Sequence, residues 1–151
     1  MEDNKVLRQQ LATMRQSFFD EGILDKHYVQ VEELEDKDNP HFAEEVMTMF
    51  FRDSTKLIAT VEHALEKSPC DLPKMDKYLH QLKGSSSSVG ASTVWSAINK
   101  LREILKDGDI ERFKTQFLCL RDEHEKLKGN LEPYFQLLRQ VGPVETAQRP
   151  M

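Results

Sequence analysis

The sequence predicts an all-α protein, an antiparallel up-and-down four-helix bundle with two additional N-terminal helices. Three observations carry that prediction. Apolar residues recur every three or four positions along most of the chain, the spacing that gathers them on one face of a helix. No stretch shows the alternation of a half-buried strand. Four of the periodic segments are long and joined by short connections, which favours antiparallel neighbours.

Leu7, Leu11, Met14 and Phe18 mark a first amphipathic helix ending near Gly22. Asp25 has the side chain to cap a short second helix carrying Tyr28, Val31 and Leu34, and Glu35 to Asn39 form a polar loop. Asn39 is suited to cap, and Pro40 to open, a long third helix that reaches about Lys67, with Val46, Met49, Phe50, Leu57, Val61 and Leu65 inward. Ser68-Pro69 breaks it. The fourth helix spans about 71–88, and the fifth runs from roughly Ser92 to Lys106 with Val94, Ile98, Leu101 and Leu105 on one side. Gly108 ends it and Asp109 caps the last helix, whose stripe is Ile110, Phe113, Phe117, Leu120, His124, Leu127, Leu131, Tyr134 and Leu138. Pro133 lies inside that stripe and is expected to kink or end the helix. Residues 1–141 are expected to form one domain and 142–151 a disordered tail.

The composition narrows the function classes. A chain of 151 residues with 38% hydrophobic and 31% charged residues can bury a core beneath much solvated surface. A net charge of −5 argues against nucleic acid as a partner, because phosphate backbones require clustered positive charge. No apolar run approaches the ~20 residues that span a bilayer. The acidic and polar N-terminus lacks the features of a secretory signal. Cys70 and Cys119 follow no metal or disulfide spacing and are expected to be free thiols in a reducing compartment. There is no Gly-rich nucleotide loop and no marked nucleophile–base pair. Asp36-Lys37-Asp38-Asn39 begins like a calcium loop but has His41 and Met47 where the pattern needs glycine and glutamate.

One stretch concentrates the chemistry: Leu79-His80-Gln81-Leu82-Lys83-Gly84, then Ser85 to Ser88, then Val89-Gly90-Ala91. At about 100° per residue, Leu72, Met75, Tyr78, Leu79, Leu82 and Val89 fall on one arc, and His80 points well away from it. Asp76, Lys77, Lys83, Gly84 and Ser87 share the histidine's face. A lone helical histidine is most often a polar surface residue. Here Lys83 stands at i+3 and Gly84 at i+4, and a glycine inside a helix costs about 1 kcal/mol relative to alanine, so it calls for a reason. Asp76, one turn earlier, is placed to orient the ring, although a plain solvated carboxylate is the simpler account. The serine run is expected to stay helical, its small side chains letting neighbouring helices close in. His27, His41, His63 and His124 are scattered without metal-ligand pairing, and His124 on the last apolar stripe is expected to be a hydrogen-bonded core or boundary residue.

The His80 segment resembles the phospho-accepting motif of histidine-containing phosphotransfer proteins, especially those of plant cytokinin-type two-component relays. Gly22-Ile23-Leu24-Asp25, Asn39-Pro40-His41-Phe42-Ala43-Glu44-Glu45-Val46 and Phe50-Phe51-Arg52-Asp53-Ser54-Thr55-Lys56-Leu57-Ile58 resemble that family's segments in order and spacing. The chain departs after Ala91, where Ser92-Thr93 stand instead of a polar-basic pair, a change that bears on partner preference. The resemblance implies a monomeric, cytoplasmic and nuclear carrier. His80 would take a phosphoryl group from the receiver aspartate of a hybrid sensor kinase and pass it to a response-regulator aspartate. Lys83 would attend the phosphoryl oxygens and Gly84 would leave room for the receiver. The resemblance implies no cofactor on this chain, with magnesium on the receiver partner, no nucleic acid or membrane contact, and no turnover of its own. A binding module that occupies receivers without carrying phosphate is the competing class. A helical adaptor unrelated to signalling would leave Lys83 and Gly84 unexplained.

Overall fold

The computed structural model describes residues 2–141, with side chains from Lys5 onward; the segment 142–151, expected to be a disordered tail, lies outside the described residues. Six helices follow in order: α1 Glu2–Asp20, α2 Lys26–Glu33, α3 Phe42–Leu65, α4 Leu72–Val89, α5 Ser92–Lys106 and α6 Ile110–Gln140. There is no strand among the described residues. α3 packs on α4, α4 on α5 and α5 on α6, and α6 returns to touch α3. α1 lies against α6, while α2 bridges α3 and α4.

The expected apolar faces build one buried cluster. Leu11, Met47, Met75, Leu79, Leu82, Leu101, Phe113, Leu120 and Tyr134 are almost wholly excluded from solvent. Each such side chain contributes roughly 1.5–3 kcal/mol by leaving water. His124 joins this core, its Nε2 2.7 Å from the Ser54 hydroxyl across the α3–α6 contact. Burial holds its pKa below the usual histidine value, with Glu125 raising it and Lys128 lowering it further.

Local caps explain most helix ends. Asp25 accepts from the His27 backbone N–H, Asp71 from Lys74 and Asp109 from Arg112, so one orphan donor is satisfied at each of three helix starts. Gly90 closes α4 in the left-handed conformation, φ 75°. It is also a close approach: a Cβ there would lie 2.5 Å from the Tyr28 backbone nitrogen. The α1–α2 corner is thereby stitched to the α4–α5 corner. Asp25 N–H donates to the Gly90 carbonyl at 3.0 Å, Ser92 N–H to the Ile23 carbonyl at 3.2 Å, and the Ser92 hydroxyl to Asp25 Oδ2 at 3.0 Å. Burial works to raise the Asp25 pKa, but donation from His27 and Ser92 holds it below the ordinary value. An ion pair between half-buried Arg15 and buried Glu32 ties α1 to α2, with Arg15 Nη2 2.6 Å from Glu32 Oε1.

Three expectations are corrected and one is narrowed. Asn39 does not cap α3, nor does Pro40 open it: the helix starts at Phe42, and the buried Glu35 carboxylate folds back to accept from Ala43 N–H at 3.0 Å. Asn39 instead donates its backbone N–H to Asp36 Oδ1 in a tight turn. Leu34 falls beyond the end of α2 and is 64% exposed, because Val31 and the paired Glu32 take the inward positions. Met49 on α3 is likewise exposed, with Met47 and Phe50 buried on either side of it. Pro133 does not end α6, which continues to Gln140. The proline sits on the exposed side, where water can serve the unpaired carbonyl at Gly129 while Leu131, Tyr134 and Phe135 keep the segment packed.

Candidate functional site

Helix α4 separates its two faces as the pattern predicts. Met75, Leu79 and Leu82 are fully buried, and His80 is exposed near the middle of the helix. The serine run continues the helix: the Ser85 and Ser88 hydroxyls return to the Gln81 and Gly84 carbonyls, and Ser86 is wholly buried. Gly84 is exposed, and a Cβ added there would meet nothing within 4 Å. Packing within the chain therefore gives no reason for the glycine.

The neighbouring helix α5 completes the surroundings of the ring. Arg102 Nη1 lies 3.4 Å from His80 Nδ1, a long contact, and Arg102 Nε donates to Asp76 Oδ1 at 3.0 Å. Asp76 is thus neither a plain solvated carboxylate nor the direct orienter of the ring. It anchors an arginine, and the arginine reaches the histidine. One turn on, the Lys83 ammonium sits 5.9 Å from the centroid of the Trp95 ring on α5. The packing of the two helices sets Asp76 and His80 beside Arg102, and Lys83 beside Trp95. The result is an exposed imidazole with Arg102 at one ring nitrogen, Lys83 one turn along the helix and an open step at Gly84.

Arg102 and Trp95 were absent from the residues the sequence singled out. Their signal was indirect: both lie on α5, seven residues apart, a spacing of two turns that puts them on one face. Ser92, which marks the departure after Ala91, supports the fold by its bond to Asp25 and does not reach the histidine. Among the described residues no group of three or more His, Cys, Asp or Glu side chains is placed to hold a metal ion. No helix among them is long and apolar enough to cross a membrane. Cys70 and Cys119 are free of disulfide.

Comparison with known proteins follows the same lines. The Hpt domain family model matches residues 45–130, which include His80, Lys83, Gly84 and Arg102. The chain is 45% identical to pseudo histidine-containing phosphotransfer protein 5 of Oryza sativa subsp. japonica, covering 95% of both chains. It is 42% identical to histidine-containing phosphotransfer protein 4 of Arabidopsis thaliana, covering 77% of this chain and 91% of that one. Among solved structures, MtHPt2 from Medicago truncatula superposes with a TM-score of 0.85 at 36% identity, over 89% of this chain and 92% of that one. ZmHP2 from maize gives 0.83 at 32%, over 89% and 99%. The chain belongs to the Hpt-domain family, among the plant histidine-containing phosphotransfer proteins.

Proposed function

We propose that this chain is a phosphorelay carrier whose acceptor is His80. The observation that supports it is the exposed imidazole at the centre of α4, with Lys83 and Arg102 flanking it and unfilled space at Gly84. The neutral ring is the nucleophile, since a protonated nitrogen has no lone pair to offer. It attacks the phosphorus of an aspartyl phosphate on a receiver domain of a hybrid sensor kinase. An N–P bond forms as the carboxyl O–P bond breaks, and the ring proton leaves to solvent. The N–P bond stays energy-rich, so a second receiver, on a response regulator, can take the group onward. Magnesium belongs to the receiver, and this chain works without a cofactor or turnover of its own.

Lys83 supplies positive charge to the phosphoryl oxygens. Its hold on Trp95 is worth about 0.5–1 kcal/mol at an exposed site, little enough to release for a dianion. Gly84 admits the edge of the receiver. The packing of α3 through α6, with α6 returning to α3, supports the antiparallel up-and-down four-helix bundle, with α1 and α2 as additions. A monomer in cytoplasm and nucleus, serving a cytokinin-type relay, fits the same proposal.

A second reading is favoured by one finding: three rice relatives, 41–45% identical, carry the word pseudo in their names. On that reading the chain occupies receivers without carrying phosphate. Incubation with a phosphorylated receiver domain separates the two. Acid-labile, base-stable phosphate on this chain supports the carrier, whereas receiver binding without it supports the binding module.

A further inference from the structure

We infer that Trp95 is a specificity-determining contact for receivers: an exposed indole beside the acceptor that favours a receiver with an apolar active-site rim over one with a basic rim. The inference rests on receivers docking at His80, and it holds whether or not phosphate is then transferred.

The starting point is that α5 does not need the indole for its packing. Val94, Ala97, Ile98 and Leu101 turn inward and hold the helix to the bundle, while Trp95 is 38% exposed. Val6, Leu34, Met49 and Leu118 are exposed too, and single apolar residues at a surface are ordinary. Trp95 differs from them by its place. It is the one of the five carried by α4 or α5, and Lys83, on the histidine's own face, lies over its ring at 5.9 Å from the centroid.

The distance to the acceptor is short on the scale of an interface. Trp95 and Arg102 stand seven residues apart on α5, a rise of about 10 Å, and Arg102 reaches the His80 ring. A standard interface covers about 800 Å² of each partner, a disc of about 16 Å radius. A receiver that centres its aspartate on His80 therefore covers Trp95 as well. Tryptophan is among the side chains that dominate binding when buried at the middle of an interface. Lys83 already restrains this one, so less freedom is lost when a partner covers it.

The same lysine sets the choice of partner. Its charge beside the indole repels a basic side chain on the receiver, and the indole N–H donates without accepting. An acidic side chain there would draw Lys83 from the phosphoryl oxygens. An apolar side chain is the match. Ser92, where the sequence departs from the family, is held by Asp25 and does not reach the histidine, so Trp95 rather than Ser92 carries partner choice.

Trp95 is the only tryptophan of the chain, so its emission reports on this one site. A receiver domain without tryptophan is titrated into the full chain, with binding followed in parallel by calorimetry. The emission should shift to the blue and saturate with binding. Trp95→Ala should raise the receiver concentration for half-maximal transfer at least tenfold, with the rate at saturation and uptake from phosphoramidate unchanged. Trp95→Phe should restore most of the loss, and circular dichroism shows that both variants are folded. Apolar rim residues of the receiver are also replaced by lysine one at a time. At one of these positions the replacement should weaken binding to the unaltered chain and not to Trp95→Ala. Binding without an emission shift, unaltered binding by Trp95→Ala, an equal loss of uptake from phosphoramidate, or no rim position coupled to Trp95 overturns the inference. If the unaltered chain binds receivers but takes phosphate from no donor, the carrier reading fails, while the titrations of the variants still decide the role of Trp95.

Discussion

Gly84 lets stability and function be driven in opposite directions. In the structure it is an exposed interior residue of α4, and a Cβ there would meet nothing within 4 Å. Gly84→Ala should therefore stabilise the chain by the difference in helix propensity, about 0.8–1.0 kcal/mol. For a chain of this size that is a rise in Tm of about 2–4 °C. Gly84→Gln keeps most of the gain, because glutamine also forms helix well and its side chain has open solvent to enter. It stands one turn from His80, where the receiver's active-site edge must come within about 3–3.5 Å of the attacking nitrogen. A displacement of only ~1 Å from that geometry costs roughly 100-fold, so phosphate uptake from a receiver should fall at least tenfold. Thermal melts by circular dichroism and rapid-mixing transfer on the same samples make the pair of measurements. A lower Tm for Gly84→Ala would show that the space is not open. An unchanged transfer rate for Gly84→Gln would show that the glycine does not serve access.

Three other outcomes are expected. Lys83→Ala should slow uptake of phosphate in rapid mixing with stability unchanged within ~0.5 kcal/mol, since its ammonium reaches over the exposed Trp95 ring at the surface; a wild-type rate would reduce Lys83 to a surface charge. His124 has a folded pKa below its unfolded value, so below about pH 6.5 the unfolded chain binds a proton that the native core refuses, and stability falls with pH. Urea melts at pH 7.5 and 5.5 should show a smaller loss in His124→Gln than in the unaltered chain. Glu32→Ala should cost about 1–3 kcal/mol in the same assay, because it leaves the half-buried Arg15 guanidinium without the carboxylate that now pairs with it at 2.6 Å.

Caps made by the residue next to a helix were legible in the sequence. Asp25 and Asp109 each act within three residues of themselves; Asp71 and Gly90 cap α4 just as locally but were not singled out, and the helix runs one residue past its expected end. The cap of α3 was not legible, because Glu35 reaches Ala43 across a loop and the nearer Asn39 has the more suggestive side chain. Periodicity identified the inward face of each helix without saying how far its neighbours extend, so Leu34 and Met49 passed for core and are exposed. The direction of His80 followed from its own helix, since Leu79 and Leu82 must turn inward. Arg102 required the crossing of α4 and α5, which no local pattern contains, and it joins His80 across 22 positions of sequence.

The central claim is that phosphate enters and leaves this chain through His80. The direct test is to incubate the unaltered chain and His80→Gln with the same phosphorylated receiver and measure acid-labile phosphate on each, with circular dichroism on both. The account predicts uptake by the unaltered chain, none by His80→Gln, and equal helicity, because glutamine suits an exposed helical position whose underside of Met75, Leu79 and Leu82 is untouched. Phosphate on His80→Gln, or none on the unaltered chain, would contradict it.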